Sequence, residues 1–129
     1  MKANVSHAHN LLNMANKKQF NEMEANLDNL KSRRKLTFEE EYIQYLVAVL
    51  NYMNNNRTIL PKEEIEAVTL YEAIYHNRFG LAYDIVQKKS KEQKLSNEEI
   101  IMLLLLKEIS SLKREIEKDA QTKQKVKVM

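Results

Sequence analysis

The sequence predicts an all-α fold of about six helices, built as two related three-helix units. Three observations predict it. The 129 residues hold one Gly and one Pro, whereas a β-rich chain of this length needs many tight turns and the residues that make them. Apolar residues recur at spacings of three and four, the period of a helix face. The chain also repeats once at an offset of 59 residues: Ala8 answers to Ala67, Leu11 to Leu70, Phe20 to Phe79, Leu36 to Leu95, Thr37 to Ser96, and Glu39–Glu40 to Glu98–Glu99. Packing positions and helix-start residues recur, not reactive groups, as in stacked helical scaffolds.

The first helix is expected from about Asn4 to Asn16, with Val5, Ala8, Leu11, Leu12 and Ala15 on one side. The second begins near Lys18 and places Phe20, Met23, Leu27 and Leu30 on one face. It closes on the run Lys31–Lys35, where cations suit the carbonyl end. Thr37-Phe38-Glu39-Glu40 reads as a capping box. The third helix follows and is apolar on nearly every side from Tyr42 to Met53, which places it at the centre. It is expected to stop at Asn54-Asn55-Asn56-Arg57, because Asn tolerates left-handed angles.

Pro61 stands where a first helical residue fits, with Glu63 and Glu64 in the first turn. That fourth helix is expected to reach His76, turning Ile65, Val68, Tyr71 (or Leu70), Ile74 and Tyr75 inward. A tight link at Asn77-Arg78 leads to the fifth, with Phe79, Ala82, Ile85 and Val86 inward and Gly80 allowing close approach of a neighbour. Lys88–Lys94 reads as an exposed basic loop. Ser96-Asn97-Glu98-Glu99 is a second capping box, opening a sixth helix apolar all round from Ile100 to Leu106. It then narrows to the stripe Leu105, Ile109, Leu112 and Ile116, a predicted dimer interface. Residues 1–120 form one helical domain, and 121–129 a basic frayed tail. The units combine as a tetratricopeptide-like helical repeat or a bundle; tetratricopeptide arrays recur after two helices, whereas corresponding helices recur here after three.

With 43% apolar and 30% charged residues the chain has the balance of a globular protein. The longest apolar stretch, Ile100 to Leu106, falls well short of the ~20 residues that span a bilayer, and residues 1–7 show no signal-peptide run. Together these read as a soluble, cytoplasmic protein with no membrane partner. Net charge is +3, too small by itself to imply nucleic-acid binding. Its distribution is uneven: residues 1–36 carry seven Lys/Arg against three acids, 37–76 two against seven, and 77–129 twelve against eight.

Chemistry is hard to find. There is no Cys, and hence no thiolate. His7 and His9 point apart on a helix and cannot share a metal, while His76 stands alone. The carboxylates of Glu39–Glu41, Glu63-Glu64-Glu66 and Glu98-Glu99 each fall in an expected first helical turn, where the dipole accounts for them. A single Gly cannot build a phosphate loop, and Ser6 beside His7 and His9 lacks a third member. The expectation is no enzyme, no metal and no cofactor.

The tyrosines are more informative. Tyr42 and Tyr45 lie on one flank of the central helix, Tyr71 and Tyr75 form an i, i+4 pair, and Asn77 follows them. They read either as core rings with hydroxyls at the boundary or as a groove for an extended peptide or partner helix. The segment Leu70-Tyr71-Glu72-Ala73-Ile74-Tyr75-His76-Asn77 resembles, through Tyr71-Glu72, Tyr75 and Asn77, a segment in the helical regulatory region of Rgg/MutR-type transcriptional regulators of Gram-positive bacteria. The resemblance implies a tetratricopeptide-like domain that dimerises and binds short signalling peptides. No helix-turn-helix pattern occurs in these residues, so it implies a regulatory half that does not itself read DNA. The expected function is a non-enzymatic protein- or peptide-binding regulatory module that self-associates and acts in transcriptional or signalling control. The alternatives are a small basic accessory protein gripping nucleic acid through Lys31–Lys35, Lys88–Lys94 and Lys123–Lys127, or a structural subunit of a larger complex.

Overall fold

A computed structural model describes residues 10–64, 66 and 69–128, with side chains as far as Ala120. The described residues form six helices and no strand: α1 over 10–16, α2 Phe20–Arg33, α3 Phe38–Asn56, α4 Leu70–Tyr75, α5 Phe79–Glu92 and α6 Asn97–Val128. The expected inward positions Val5, Ala8, Ile65 and Val68, the Ala8–Ala67 match, and His7 and His9 lie outside the described residues.

The 59-residue repeat is written into the backbone. Lys18 and Asn77 both take left-handed angles, with φ of 59° and 61°. Gln19 and Arg78 donate their N–H groups to Met14 O and Ala73 O at 2.8 and 2.7 Å, while Lys18 and Asn77 donate to Ala15 O and Ile74 O at 3.1 Å. These are matching Schellman closures, which satisfy the last carbonyls of α1 and α4 and turn the chain sharply into α2 and α5. Both following helices are 14 residues long. Each then stops in extended backbone, at Arg34 and Gln93. Buried Leu36 and Leu95 precede the caps Thr37 and Ser96.

Both capping boxes form. Thr37 Oγ1 accepts the Glu40 N–H at 3.2 Å while Glu40 Oε1 accepts the Thr37 N–H at 2.8 Å. Ser96 and Glu99 repeat this at 3.2 and 2.9 Å. Each box satisfies two N–H groups that a helix start otherwise leaves open.

Packing follows the same duplication. Asp28 meets Gln44 and Glu24 meets Asn51, so α2 runs antiparallel to α3. Glu40 and Glu99 border one cavity, and Arg57, just past α3, bonds Glu115 and Asp119 of α6 at 3.0 and 2.7 Å. The two long helices therefore run parallel and in register. They pack through Ile43, Leu46, Val47, Leu50 and Met53 of α3 and their 59-residue counterparts Met102, Leu105, Leu106, Ile109 and Leu112, all buried. The α1–α2 turn reaches α6 through Lys18 and Glu108, and the α4–α5 turn reaches α3 through Asn77 and Tyr45. Such reciprocal contacts close the units on each other about a pseudo-two-fold axis, as in a bundle.

Several expectations are corrected. The stripe Leu105, Ile109, Leu112 and Ile116 is part of the core of the single chain, not a surface open to a second copy. The fourth helix does not start at Pro61. Residues 58–64 are non-helical: Glu63 donates its N–H to His76 O at 3.1 Å and Pro61 O accepts from Asn77 Nδ2 at 3.3 Å. The segment thus makes its bonds across the end of α4, and Glu63 and Glu64 are not helix-start acids. Thr69 caps α4 instead, its hydroxyl accepting the Glu72 N–H at 3.1 Å. α3 continues through Asn54–Asn56, and it is Arg57 that turns left-handed, at φ 50°. Lys88–Glu92 forms the last turns of α5 rather than a loop. Gly80 is exposed, and a Cβ there would meet no neighbour within 4 Å, so it serves no close approach. α6 stays helical beyond Ala120, where no Gly or Pro breaks it and Gln and Lys favour it.

Candidate functional site

α3 is central, but it is not covered all round. α2, α4 and α6 pack on it and leave Phe38, Glu41, Tyr45, Ala48, Tyr52 and Asn55 exposed. These alternate three and four apart, and the aromatics recur every seventh residue. Two turns of helix separate each ring from the next, so all three share one line. Phe38 is 56% exposed, Tyr45 38% and Tyr52 49%. Three large rings in a row at the surface of one helix are not accounted for by core packing.

The flank toward α4 is aromatic as well. Phe38, Tyr42 and Tyr71 form a three-ring cluster, with centroids 5.0 Å apart for Phe38–Tyr42 and 4.8 Å for the other two pairs. Such tilted contacts set ring edges against ring faces. Phe38, Glu41, Tyr42, Tyr45 and Tyr75 line a cleft of about 350 Å³. Tyr75, 69% exposed, projects from α4 with its ring edge-on to His76, centroids 4.9 Å apart.

Polar groups at the rim are held in place by one another. Tyr45 Oη donates to Asn77 Oδ1, and Asn77 Nδ2 donates to Pro61 O. His76 Nδ1 lies 2.9 Å from Glu63 Oε2; a carboxylate only accepts, so this contact keeps a proton on Nδ1. Burial, reinforced by the Glu63 carboxylate, pushes the Tyr45 hydroxyl above its usual pKa. Burial, with Glu39 and Glu99 nearby, does the same for Tyr71. Both hydroxyls remain donors at neutral pH. On the opposite flank α2 supplies Asp28, which accepts from Gln44 at 3.2 Å, and Glu24, which accepts from Asn51 at 3.3 Å.

The five residues singled out by sequence, Tyr42, Tyr45, Tyr71, Tyr75 and Asn77, are thus brought to one side of the molecule. Phe38, Glu41 and Tyr52 were missing from that set. The spacing 38–45–52 signals them, but a helix read as apolar on every side hides which apolar residues face out.

A larger cavity of about 610 Å³ lies between the two capping boxes, bordered by Arg34, Glu40, Lys89 and Glu99. Its central carboxylates are already engaged. Arg34 grips Glu40 through two 2.9 Å bonds, and Lys89 bonds Glu99. Burial opposes ionisation of Glu40, yet Arg34 and the Thr37 N–H hold its pKa below the ordinary value. Burial likewise opposes ionisation of Glu99, and Lys89 with the Ser96 N–H holds it low. These acids hold helix starts. Arg34 and Lys89, each within one of the predicted basic runs, face carboxylates at this cavity rather than solvent alone. Among the described residues no three His, Asp or Glu side chains converge as metal ligands.

No family model, curated protein or solved structure matches the chain. Among the described residues, no helix is long and apolar enough to cross a membrane.

Proposed function

We propose that the chain is a non-enzymatic interaction module that takes a protein or peptide on the aromatic face of α3 and α4. The observation that carries this is the exposure of Phe38, Tyr45 and Tyr75 around one cleft, with exposed Tyr52 two turns further along α3, while aliphatic and methionine side chains fill the core. Aromatic rings with anchored hydroxyl and amide groups are the usual stuff of binding hot spots: large, stiff and able to donate at one end. The likeness of Leu70–Asn77 to the regulatory region of Rgg/MutR-type proteins supports a role in transcriptional or signalling control.

A displayed library of random dodecapeptides, selected on the intact chain and then measured against Tyr45→Ala/Tyr75→Ala, tests the reading. Selected peptides should bind the double variant about 10- to 30-fold more weakly, about 1.4 to 2 kcal/mol, the loss of roughly one hot-spot ring. Peptides that bind both proteins equally would place recognition elsewhere.

A further inference from the structure

We infer that the occupant of the α3 face is a basic amphipathic helix of a partner protein, lying along the line of Phe38, Tyr45 and Tyr52. This rests on the reading of that face as a docking surface and gives its partner a shape and a charge.

The shape comes from the spacing. Side chains recurring three and four apart on an exposed helix make a seam for another helix, since two helices share that period where they cross at a shallow angle. An extended strand repeats every second residue and finds no such register. From Phe38 to Asn55 the seam is about 25 Å long at 1.5 Å per residue, the length of an 18-residue helix. Ala48, the small residue near its middle, lets a second backbone come close. α2 packs along one side through Glu24 and Asp28, and α4 borders the other side from Phe38 to Tyr45, where the cleft lies.

The charge comes from the borders. Glu24 and Asp28 stand on the α2 side, Glu41 in the seam itself, and Glu63 near Tyr45 on the other side. A second copy docking α3 on α3 would set these carboxylates against their own kind. Lys and Arg flanking an apolar stripe would instead meet carboxylates at the rim and ring faces in the seam.

The test uses two dye-labelled synthetic helices of about 21 residues, both with Leu at the seam positions, one flanked by Lys and the other by Glu. Fluorescence anisotropy against the full chain should show the Lys helix binding at least about tenfold tighter than the Glu helix. Tyr45→Ala and Ala48→Arg should each weaken it by a similar factor; Ala48→Arg adds bulk and charge at an exposed seam position without touching the core. Lys-helix binding indifferent to both variants would be diffuse attraction and would overturn the inference. Tyr45-dependent capture of the Glu helix, or of the selected dodecapeptides alone, would overturn it while leaving the docking reading intact. A dimer in sedimentation that Ala48→Arg dissociates would make the occupant a second copy. If no probe depends on Tyr45, both readings fall.

Discussion

Along α3 the exposed line reads Phe38, Glu41, Tyr45, Ala48, Tyr52, Asn55; 59 residues later, along α6, the same positions hold Asn97, Ile100, Leu104, Lys107, Ser111, Arg114. Beneath these lines the two helices agree. Leu46 and Leu105 are the same residue at the same place, both fully buried, and their neighbours exchange one aliphatic or thioether side chain for another. Interior positions are held by close packing, where volume matters to within a methylene. Outer positions are free of that constraint, so what stands there reflects something else. α6 shows Lys, Ser and Arg to water over its later turns, as a helix without a partner would. α3 holds Ala48, Tyr52 and Asn55 there, and it exposes Phe38 and Tyr45 where α6 has Asn97 and the half-buried Leu104. The difference between the halves, not their likeness, points to the working face.

The comparison breaks most severely in the core. Leu46→Ala and Leu105→Ala should each destabilise the fold by about 3 kcal/mol, the transfer loss plus a cavity. Urea unfolding followed by circular dichroism should show one transition for each variant, shifted equally, because the two helices pack on each other. A biphasic curve, or a small effect at Leu105 alone, would mean that the halves fold separately.

The caps give a smaller effect with a pH signature. Thr37→Ala and Ser96→Ala should each cost about 1 kcal/mol. Glu40 and Glu99 have folded-state pKa values held below those of the open chain. As pH falls, the unfolded chain takes up protons first, so the stabilisation is present above the open-chain carboxylate range and disappears as pH drops through the folded values. Glu40→Gln and Glu99→Gln should therefore flatten the acid side of a stability–pH curve. Glu40, with its two-pronged Arg34 grip, should do so more. Equal slopes in the parent and both variants would show that these carboxylates contribute nothing to acid stability.

What was legible follows from where each signal resides. Thr37 and Ser96, each three residues before a Glu, carry the cap within four residues, so both helix starts could be read. The link at Asn77 was legible as a short break, whereas the second helix, expected from near Lys18, begins at Phe20 and leaves Lys18 in the turn. Pro61 misled because its fixed φ suits a helix start and an extended segment equally; the choice fell to Asn77 and His76, distant in sequence, which bind the segment across the end of α4. The stripe from Leu105 to Ile116 misled for a related reason. Its period gives a face to be buried, but not whether α3 or a second chain buries it. At the candidate site, residue type placed the tyrosines near one another, while exposure, which picks out Phe38 and Tyr52, depends on how α2 and α4 flank α3.

The gentlest test exchanges residues between the two Schellman turns. Lys18 holds a left-handed backbone at φ 59° where its counterpart, at φ 61°, is Asn77. Asn takes these angles more easily than Lys, because its short polar side chain bonds locally. The Lys18 ammonium lies 3.4 Å from Glu108 but is 67% exposed, so losing that pair costs little. Lys18→Asn should therefore stabilise by about 0.5 kcal/mol and raise Tm by about 2 °C. Asn77→Lys is not its mirror image. It loses the acceptor for Tyr45 and the donor to Pro61 along with the easier backbone, so it should lower Tm by distinctly more than 2 °C and loosen Tyr45 at the cleft. Equal and opposite shifts in a thermal melt would mean that Asn77 acts through its backbone alone, and that the two turns differ in sequence but not in what they hold.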